Sequence, residues 1–442
     1  MTRNAFAGSL AFAVAVAVIA TAATAAPDVD SIVAESKKAF AEKRYSAAAD
    51  GFAQAAAARP SSWKIRFNLA AAAAKAGRFR ESADALVRVL ACGIDFDTER
   101  AEDFETLRAS SEYPKVRAAL EDLGKRRAPN PAAIAFTLPE KDLLTEGLAF
   151  DPVTGDWFVS SVHRRKIIRR RDGRTSDFIA EGAGGSWGVL ALRIDPGRRI
   201  LWAATAAVPQ MAGFESGLDG KSRIDGYALP SGKRFRRAEL PGAGPHVAND
   251  LELDRDGSVF VSDSIGSAIY RVPAREGPVE VFVPAGAFRS PQGMVLSADG
   301  RSLCVADYGR GLFRVDRGSR KVSEIPAPDD AFLLGIDGLA RSGDLLFATQ
   351  NLAAPARVSR IRLSASGDRV ESVDVLELND PRVTEPTLGI VSEGRFYFVG
   401  NAQWSRFDEK TGAVDGARLD EPRILAISVD APADPGLSTT GR

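Results

Sequence analysis

Four polar residues occupy the same position in a phrase that recurs along the last two thirds of the chain. Glu146 opens EGLAF, Asn249 opens NDLEL, Gln292 opens QGMVL and Asp337 opens DGLAR. Carboxylate and amide oxygens are the ligands that a hard divalent cation such as calcium prefers, with water completing its coordination. Histidine and cysteine are absent from these positions, which argues against zinc or copper. The pattern therefore predicts a calcium site, with magnesium and manganese also compatible, if the fold brings the four positions together.

The recurring phrase describes two β-strands joined by a turn. It begins at 146, 249, 292 and 337, and looser copies begin at 190 and 387. After the opening residue come a short apolar strand, a glycine-containing turn and a second strand rich in aromatic and β-branched residues. Repeats of about 50 residues, with two visible strands and room for two more, are typical of β-propeller blades. We therefore expect a six-bladed β-propeller over residues 134–430.

A propeller would bring the opening residues together, because the innermost strand of each blade begins at the rim of the central channel. The predicted ring consists of Glu146, Leu190, Asn249, Gln292, Asp337 and, with two alternatives for the register of the last blade, Pro386 or Thr387. Polar groups that line a wet channel need no metal, since water can satisfy them. Four oxygen donors at one position of the phrase nevertheless favour a metal site over a merely wet channel.

The phrases EGLAF, ANDLELD, SPQGMVLSADG and GIDGLA resemble those of the senescence-marker-protein-30/gluconolactonase group of six-bladed propellers, which is related to paraoxonases and strictosidine-synthase-like proteins. The resemblance covers about residues 131–420. It implies a calcium-type cation in the channel and hydrolysis of lactones or related esters. By position it implies metal binding by Glu146, Asn249 and Asp337, whereas Gln292 stands where the family usually has an asparagine. Trp187 lies near the place of the catalytic histidine of the paraoxonase branch and cannot act as a base.

We therefore expect the carboxylate-based mechanism of the gluconolactonase branch, with Asp337 as both metal ligand and general base. Asp250 would either orient Asn249 or cap local backbone amides. His163 and His246 are the only histidines, and each would either shuttle protons near the substrate or have a structural role. No Ser-His-Asp order in the sequence recommends a covalent serine mechanism.

The first third of the chain has a different, helical pattern. In KRYSAAADGFAQAAAARP and GRFRESADALVRVLACG, equivalent residues such as Tyr45 and Phe79, or Phe52 and Leu86, lie 34 positions apart. This is the period of the tetratricopeptide repeat, which the segment resembles. We expect a tetratricopeptide-like solenoid over 27–125 and a linker over 126–133. Its concave surface would bind a protein partner, or the region would simply cap the propeller.

Composition limits the remaining possibilities. The 442 residues include 58 basic and 58 acidic side chains, so no charge bias toward nucleic acid exists. Residues 1–26 are typical of a signal peptide, the alternative being an uncleaved membrane anchor. Two cysteines cannot form a disulfide framework, and together with the export signal they favour a bacterial periplasm. No membrane span is expected after cleavage, and 431–442 is predicted to be a disordered tail.

Together these features predict an exported protein with a helical region and a propeller that binds a divalent metal and hydrolyses a lactone or related ester. The alternative is a non-catalytic periplasmic protein that uses both parts for ligand binding or as a scaffold. Substrate specificity would depend on loops over the channel mouth, such as 206–225.

Overall fold

The protein is described by a computed structural model that covers residues 28–129, 131–434 and 436–440. A helical region precedes a ring of six antiparallel sheets, so the predicted combination of helices and a six-bladed propeller is confirmed. The predicted signal peptide lies outside the described residues. Within them, no helix is long and apolar enough to cross a membrane.

The helical region is a series of antiparallel helices. They are α1 (Val29–Ala41), α2 (Tyr45–Ala58), α3 (Trp63–Lys75), α4 (Phe79–Ala91), the short α5 (Glu105–Arg108) and α6 (Tyr113–Lys125). The first residues of α1 and α3 lie 34 positions apart, as do those of α2 and α4, in agreement with the period read from the sequence. Fully buried alanines such as Ala48, Ala70 and Ala83 let these helices pack closely around Phe52 and Leu86. The tetratricopeptide assignment itself stays a prediction.

The propeller is closed by a strand from the start of the domain. Strand β1 (Ala133–Thr137) pairs with β24 (Arg423–Ser428), the last strand of blade 6. Blades 1 to 3 are formed by β2 (Leu148–Asp151), β3 (Asp156–Ser161), β4 (Lys166–Arg171) and β5 (Arg174–Ile179); β6 (Gly188–Asp195), β7 (Ile200–Ala206), β8 (Ser222–Ala228) and β9 (Arg234–Glu239); and β10 (Ala248–Leu253), β11 (Val259–Asp263), β12 (Ala268–Val272) and β13 (Glu280–Val283).

Blades 4 to 6 continue the same order around the ring. They are formed by β14 (Pro291–Leu296), β15 (Ser302–Asp307), β16 (Gly311–Asp316) and β17 (Val322–Glu324); β18 (Ile336–Ser342), β19 (Leu345–Gln350), β20 (Arg357–Leu363) and β21 (Val370–Leu378); and β22 (Gly389–Ser392), β23 (Arg395–Val399) and β24 (Arg423–Ser428) with β1. Blades 1 to 5 are each built on a meander of four strands, and blade 6 obtains its fourth strand from β1, whose hydrogen bonding to β24 joins the two ends of the ring.

Neighbouring blades meet closely at the second residue of the phrase. A Cβ atom on Gly147 would collide with the backbone at Leu190 in the next blade, and one on Gly338 with the backbone at Thr387. The carbonyls of Leu190 and Thr387 accept hydrogen bonds from equivalent hydroxyls, Ser160 Oγ at 2.9 Å and Thr349 Oγ1. Thr387 is therefore the opening residue of blade 6, which resolves the choice between Pro386 and Thr387.

The C-terminal segment differs from its prediction as a disordered tail. Thr439 pairs with Val373 of β21 in a short strand, β25 (Thr439–Thr440). Leu437 is buried against blade 5, and Asp434 accepts two hydrogen bonds, of 2.9 and 3.1 Å, from the Arg126 guanidinium. The edge strand β21 offers unpaired backbone groups, and the segment satisfies some of them.

Candidate functional site

The opening residues lie where the inner strands depart from regular pairing. The register of β10 on β11 shifts between Ala248 and Asp250, around Asn249. Similar shifts in β14 and β18 enclose Gln292 and Asp337. A bulge leaves an extra residue unpaired and re-aims its side chain. Asn249, Gln292 and Asp337 thus lie in bulges, whereas Glu146 lies just before β2. All four are at the end where the inner strands begin, which we call the channel mouth.

Two of the predicted ligands form a buried pair of carboxylates at the channel mouth. Glu146 is 3% exposed and Asp337 is 8% exposed. Burial raises the pKa of Glu146 well above its usual range, and the neighbouring charge of Asp337 raises it further. Burial also raises the pKa of Asp337 to about 6. Removing two carboxylates from water at one place is costly without a counter-charge.

A third carboxylate, missed from the sequence, belongs to Glu385. It lies two residues before the opening position of blade 6, and its charge raises the pKa of both Glu146 and Asp337. Its Oε1 accepts a 3.3 Å hydrogen bond from the Ser405 backbone N–H. Its Oε2 is buried and has no partner among the described residues. Among the described residues, no salt bridge involves Glu146, Asp337 or Glu385.

Asn249 completes the polar side of the site. It is 6% exposed and lies beside Asp337, where its amide lowers the pKa of that carboxyl. Its Nδ2 is nevertheless buried without a hydrogen bond of normal geometry among the described residues. Because Nδ2 is a hydrogen-bond donor, an acceptor such as water would satisfy it, whereas the amide oxygen is the atom that a cation could bind.

Hydrogen bonds from two other side chains fix the orientation of the carboxylates. Trp404 Nε1 donates to Glu146 Oε2 at 2.7 Å, and Asn351 Nδ2 donates to Asp337 Oδ2 at 2.8 Å. Tyr308 in turn donates its hydroxyl to Asn351 Oδ1 at 2.6 Å. Tyr308 and Asn351 directly follow the second strands of blades 4 and 5, which return to the channel mouth. The residue after each second strand was therefore a sequence signal for them.

Neighbouring groups hold two further predicted site residues, Gln292 and Asp250. Gln292 donates its amide nitrogen to Ser290 Oγ at 2.9 Å. Asp250 accepts a 3.1 Å hydrogen bond from the Met294 backbone in the next blade and lies 3.3 Å from Arg193. No hydrogen bond between Asp250 and Asn249 is present among the described residues. Asp250 therefore acts on the site through its charge, which raises the pKa of Asp337.

A second charged layer lies deeper in the channel. Arg193 Nε is 3.8 Å from Glu252, whose other oxygen accepts a 2.8 Å hydrogen bond from the Leu296 backbone. Burial raises the pKa of Glu252 to about 7, although Arg193 opposes the shift. Arg193 thus contacts both Asp250 and Glu252, so the cation of this layer is already engaged and the carboxylates at the channel mouth gain no ion pair from it.

The two histidines have partners outside the carboxylate site. His163 Nδ1 donates to the Gln210 carbonyl at 2.6 Å, in a loop of blade 2. His246 Nδ1 donates to Asp263 Oδ2 at 2.6 Å and is 8% exposed. Neither histidine contacts Glu146 or Asp337 in the structure. Their observed contacts agree with a structural role for each ring.

Trp187 is buried in a small cluster with Ala207 and Met211. The guanidinium of Arg223 lies 3.7 Å from the centre of its indole ring, an arrangement that stabilises the cation electrostatically. Burial lowers the pKa of Arg223 to about 10. Trp187 therefore serves to pack a loop of blade 2, and it makes no contact with the carboxylates in the described structure.

Two long connections cover the channel mouth, and we call them the channel cover: residues 207–221 of blade 2 and 400–422 of blade 6. Although blade 1 lies between them, they meet where Gln210 Nε2 donates to the Glu409 carbonyl at 3.4 Å. Phe407 and Leu419 of the cover pack on Leu144 and Leu190 in an apolar cluster. The cover explains why the carboxylates are so little exposed.

The donor set fits a hard cation. Among residues 28–129, 131–434 and 436–440, no three Asp, Glu, His or Cys side chains lie close enough together to hold one metal ion. Such a site would therefore combine the carboxylates of Glu146 and Asp337 with the amide oxygen of Asn249 and with water, as calcium accepts. The mutual repulsion of the buried carboxylates of Glu146 and Asp337 is the structural observation that favours this fit.

Comparisons with known proteins complete the description. No family model matches the sequence, and a search of curated proteins found no match. Among solved structures, the chain is similar to the calcium-binding protein regucalcin from Agrobacterium tumefaciens, with 18% identity, a TM-score of 0.48, and 69% of this chain and 97% of that chain covered. It is also similar to a gluconolactonase from Xanthomonas campestris, with 14% identity, a TM-score of 0.45 and coverages of 67% and 94%. A third is the PQQ-bound aldose sugar dehydrogenase from Streptomyces coelicolor, with 17% identity, a TM-score of 0.47 and coverages of 67% and 97%. At these identities and TM-scores, the similarities carry no argument about activity.

Proposed function

We propose that the protein binds one divalent cation at the channel mouth, with calcium as the expected ion, and hydrolyses a lactone or related ester there. The observation that carries the proposal is the group formed by the buried carboxylates of Glu146 and Asp337 and the half-buried Glu385, none of which has a cationic side-chain partner in the described part of the chain. Buried like charges are expected to persist only where a positive charge joins them.

Glu146, Asp337 and Asn249 would hold the cation, and Gln292, at the same position of blade 4, would contribute its amide oxygen. A bound divalent cation polarises an ester carbonyl and makes a neighbouring water more acidic. Trp404 and Asn351 keep Glu146 and Asp337 in place by their hydrogen bonds. Such fixed orientation is what a precise ligand set requires.

Asp337 is the residue we assign to proton transfer. The oxygen of a water molecule attacks the carbonyl carbon of the lactone, and Asp337 accepts the proton that this water loses. The bond between the carbonyl carbon and the ring oxygen then breaks, and the ring oxygen takes up a proton to give a hydroxy acid. The reaction balances with lactone and water as the only reactants.

The test is hydrolysis of a panel of lactones by purified protein with and without calcium, magnesium or manganese. We expect cation-dependent turnover that Asp337→Asn abolishes. Asp344→Asn is the matched control, because Asp344 lies in the same blade at the opposite end of the strands, where it pairs with Arg362 on the surface. Equal turnover by wild type and Asp337→Asn would exclude this site as the place of the reaction.

A second candidate function is ligand binding or scaffolding without catalysis, with the helical region contacting a protein partner. The channel cover favours it, because Trp404 of the cover is hydrogen-bonded to Glu146, which is only 3% exposed. A cation that raises the melting temperature while every lactone remains intact would support this function over hydrolysis.

Export to a bacterial periplasm is also part of the proposal. It is supported by the order of charged, apolar and small residues in segment 1–26. Fractionation of bacteria that express the full chain, with sequencing of the mature N-terminus, tests it: a protein in the cytoplasm with an intact N-terminus would contradict it.

A further inference from the structure

The helical region docks on blade 5 beside the channel mouth. Trp63 of α3 donates its indole N–H to the Ala331 carbonyl at 3.0 Å, and its ring lies 5.2 Å from that of Phe332. Val89 and Ile94 join these residues and Ala353 in one buried apolar cluster. The helical region thus contacts two segments of blade 5. Segment 331–335 precedes its inner strand, and segment 351–354 follows its second strand.

Backbone hydrogen bonds also join the helical region to blade 5. Asp95 and Ala354 exchange two of them, of 2.8 and 2.9 Å, as neighbouring residues of an antiparallel pair do. The guanidinium of Arg357, which is 2% exposed, donates to the Gly93 carbonyl. The position of segment 351–354 is therefore fixed from the helical side as well as from the propeller.

The same two segments are joined to each other. Gln350 donates its amide to the carbonyls of Phe332 and Leu334, both at 3.0 Å. The Asn351 backbone N–H donates to the Gly335 carbonyl at 3.1 Å. Gly335 has a φ of +64°, and a Cβ atom there would collide with Leu352. The two segments therefore pack together as one unit. Asn351 belongs to this unit, and Asp337 follows segment 331–335 in the inner strand.

The orientation of the Asn351 amide is determined by its partners. Its oxygen accepts from the Tyr308 hydroxyl, so its nitrogen is the group that faces Asp337 Oδ2 at 2.8 Å and the Pro386 carbonyl at 3.0 Å. Burial raises the pKa of Tyr308, and the charge of Asp337 adds to the shift, so Tyr308 keeps the proton that it donates. An amide held at both ends in this way has one usable orientation.

We propose that Asn351 is a positioning residue for Asp337 and that the helical region couples to the channel site by setting the position of Asn351. The chain of contacts runs from Trp63 and Asp95 through segment 351–354 to Asn351 and then to Asp337. The inference rests on the proposed function only in treating Asp337 as a cation ligand. It gives the helical region a role in the site itself, beyond capping the propeller.

The test measures calcium affinity by titration calorimetry for the single variants Asn351→Ala, Tyr308→Phe and Trp63→Ala. Tyr308→Phe and Trp63→Ala are also measured in the Asn351→Ala background. A hydrogen bond to a charged group corresponds to about a tenfold loss of affinity in Asn351→Ala. Smaller losses are expected for Tyr308→Phe and Trp63→Ala, and neither is expected to weaken binding further in the Asn351→Ala background. Fully additive losses, or unchanged affinity in Asn351→Ala, would overturn the proposal.

Trp157→Ala is the matched control, because Trp157 packs on Phe136 and Tyr397 between blades 1 and 6, away from this path. It is expected to lower stability while leaving calcium affinity unchanged. An equal loss of affinity in Trp157→Ala would show that the Trp63 effect is a general consequence of lower stability, and would overturn the coupling.

Hydrogen exchange of segment 335–342 in metal-free protein gives a readout that needs no cation. Faster exchange is expected in Trp63→Ala and in Asn351→Ala but not in Trp157→Ala. Unchanged exchange would overturn the coupling. If wild-type protein binds no cation and exchange is still faster in both variants, the proposed function fails while the structural coupling stands.

Discussion

The indole nitrogen of Trp404 lies 2.7 Å from Oε2 of Glu146, so the channel cover is hydrogen-bonded directly to a buried carboxylate of the candidate site. Trp404 belongs to the connection between β23 and β24, whereas Glu146 precedes β2 in the neighbouring blade. The adjoining backbone of the cover also holds Glu385 through Ser405. One connection thus orients two carboxylates and covers them.

This contact makes Trp404 a reporter of cation binding. A cation at Glu146 changes the charge next to the indole, so calcium is expected to change the tryptophan fluorescence of the wild type. Trp404→Phe is expected to remove most of the change, whereas Trp187→Phe, in the separate cluster on blade 2, is expected to keep it. A full response in Trp404→Phe would place the cation elsewhere.

Glu385 is expected to have opposite effects on stability and on affinity. Glu385→Gln removes one of three neighbouring negative charges, which raises the free energy of unfolding of metal-free protein by about 1 kcal/mol. The same change is expected to weaken calcium binding, because the site loses charge. Thermal melting and calorimetry measure the two effects, with the exposed Glu393→Gln of the same blade as control. Lower stability and unchanged affinity would mean that Glu385 only anchors the cover.

Glu252 predicts a pH dependence of stability. Its pKa is raised from 4.5 to about 7 in the folded protein, so between these values the folded state binds more protons than the unfolded state. This group therefore makes stability fall as pH rises from about 4.5 to about 7. Because its side chain is 19% exposed, we expect the effect to be about 2 kcal/mol, somewhat less than the full shift implies.

Glu252→Gln is expected to gain stability relative to wild type as the pH rises from 5 to 8, since it never ionises. Urea unfolding at several pH values measures the difference. The exposed Glu215→Gln is the control, for which no such trend is expected. A constant difference between Glu252→Gln and wild type across this range would show that Glu252 is ionised throughout.

The histidines are expected to be dispensable for hydrolysis. His163→Gln and His246→Gln should keep the cation-dependent turnover, because both rings are engaged with Gln210 and Asp263 instead of the carboxylates. His246→Gln should lose about 1 to 3 kcal/mol of stability, since the buried Asp263 loses a donor. Loss of turnover with normal stability in either variant would restore a proton-transfer role for that histidine.

The architecture could be predicted from the sequence because the phrase repeats at a blade period, with glycine after the opening residue in three of its six copies. Gly147 and Gly338 are required where adjacent inner strands touch, so the repeat reflects a steric constraint. The same repeat identified Glu146 and Asp337 as neighbours in space. The pairing of β1 with blade 6, which closes the ring, could not be predicted from the sequence, because β1 lies before the first copy of the phrase.

The rest of the site depends on contacts that the phrase does not contain. Glu385 lies before the phrase of blade 6, whose register was open between two residues. Trp404 lies in a connection unlike those of the other blades, and its approach to Glu146 follows from packing of the cover. Asp250 is hydrogen-bonded to the Met294 backbone and Gln292 to the Ser290 hydroxyl, and the phrase indicated neither partner.

The central claim is that the buried carboxylates at the channel mouth bind a divalent cation. Its most direct test is the melting temperature of wild type and Asp337→Asn in calcium and in chelator. A cation at a hundred times its dissociation constant stabilises the folded state by about 3 kcal/mol. We predict a clear rise for wild type with calcium and little or none for Asp337→Asn. Equal melting temperatures for wild type in calcium and in chelator, with no heat of binding by calorimetry, would contradict the account.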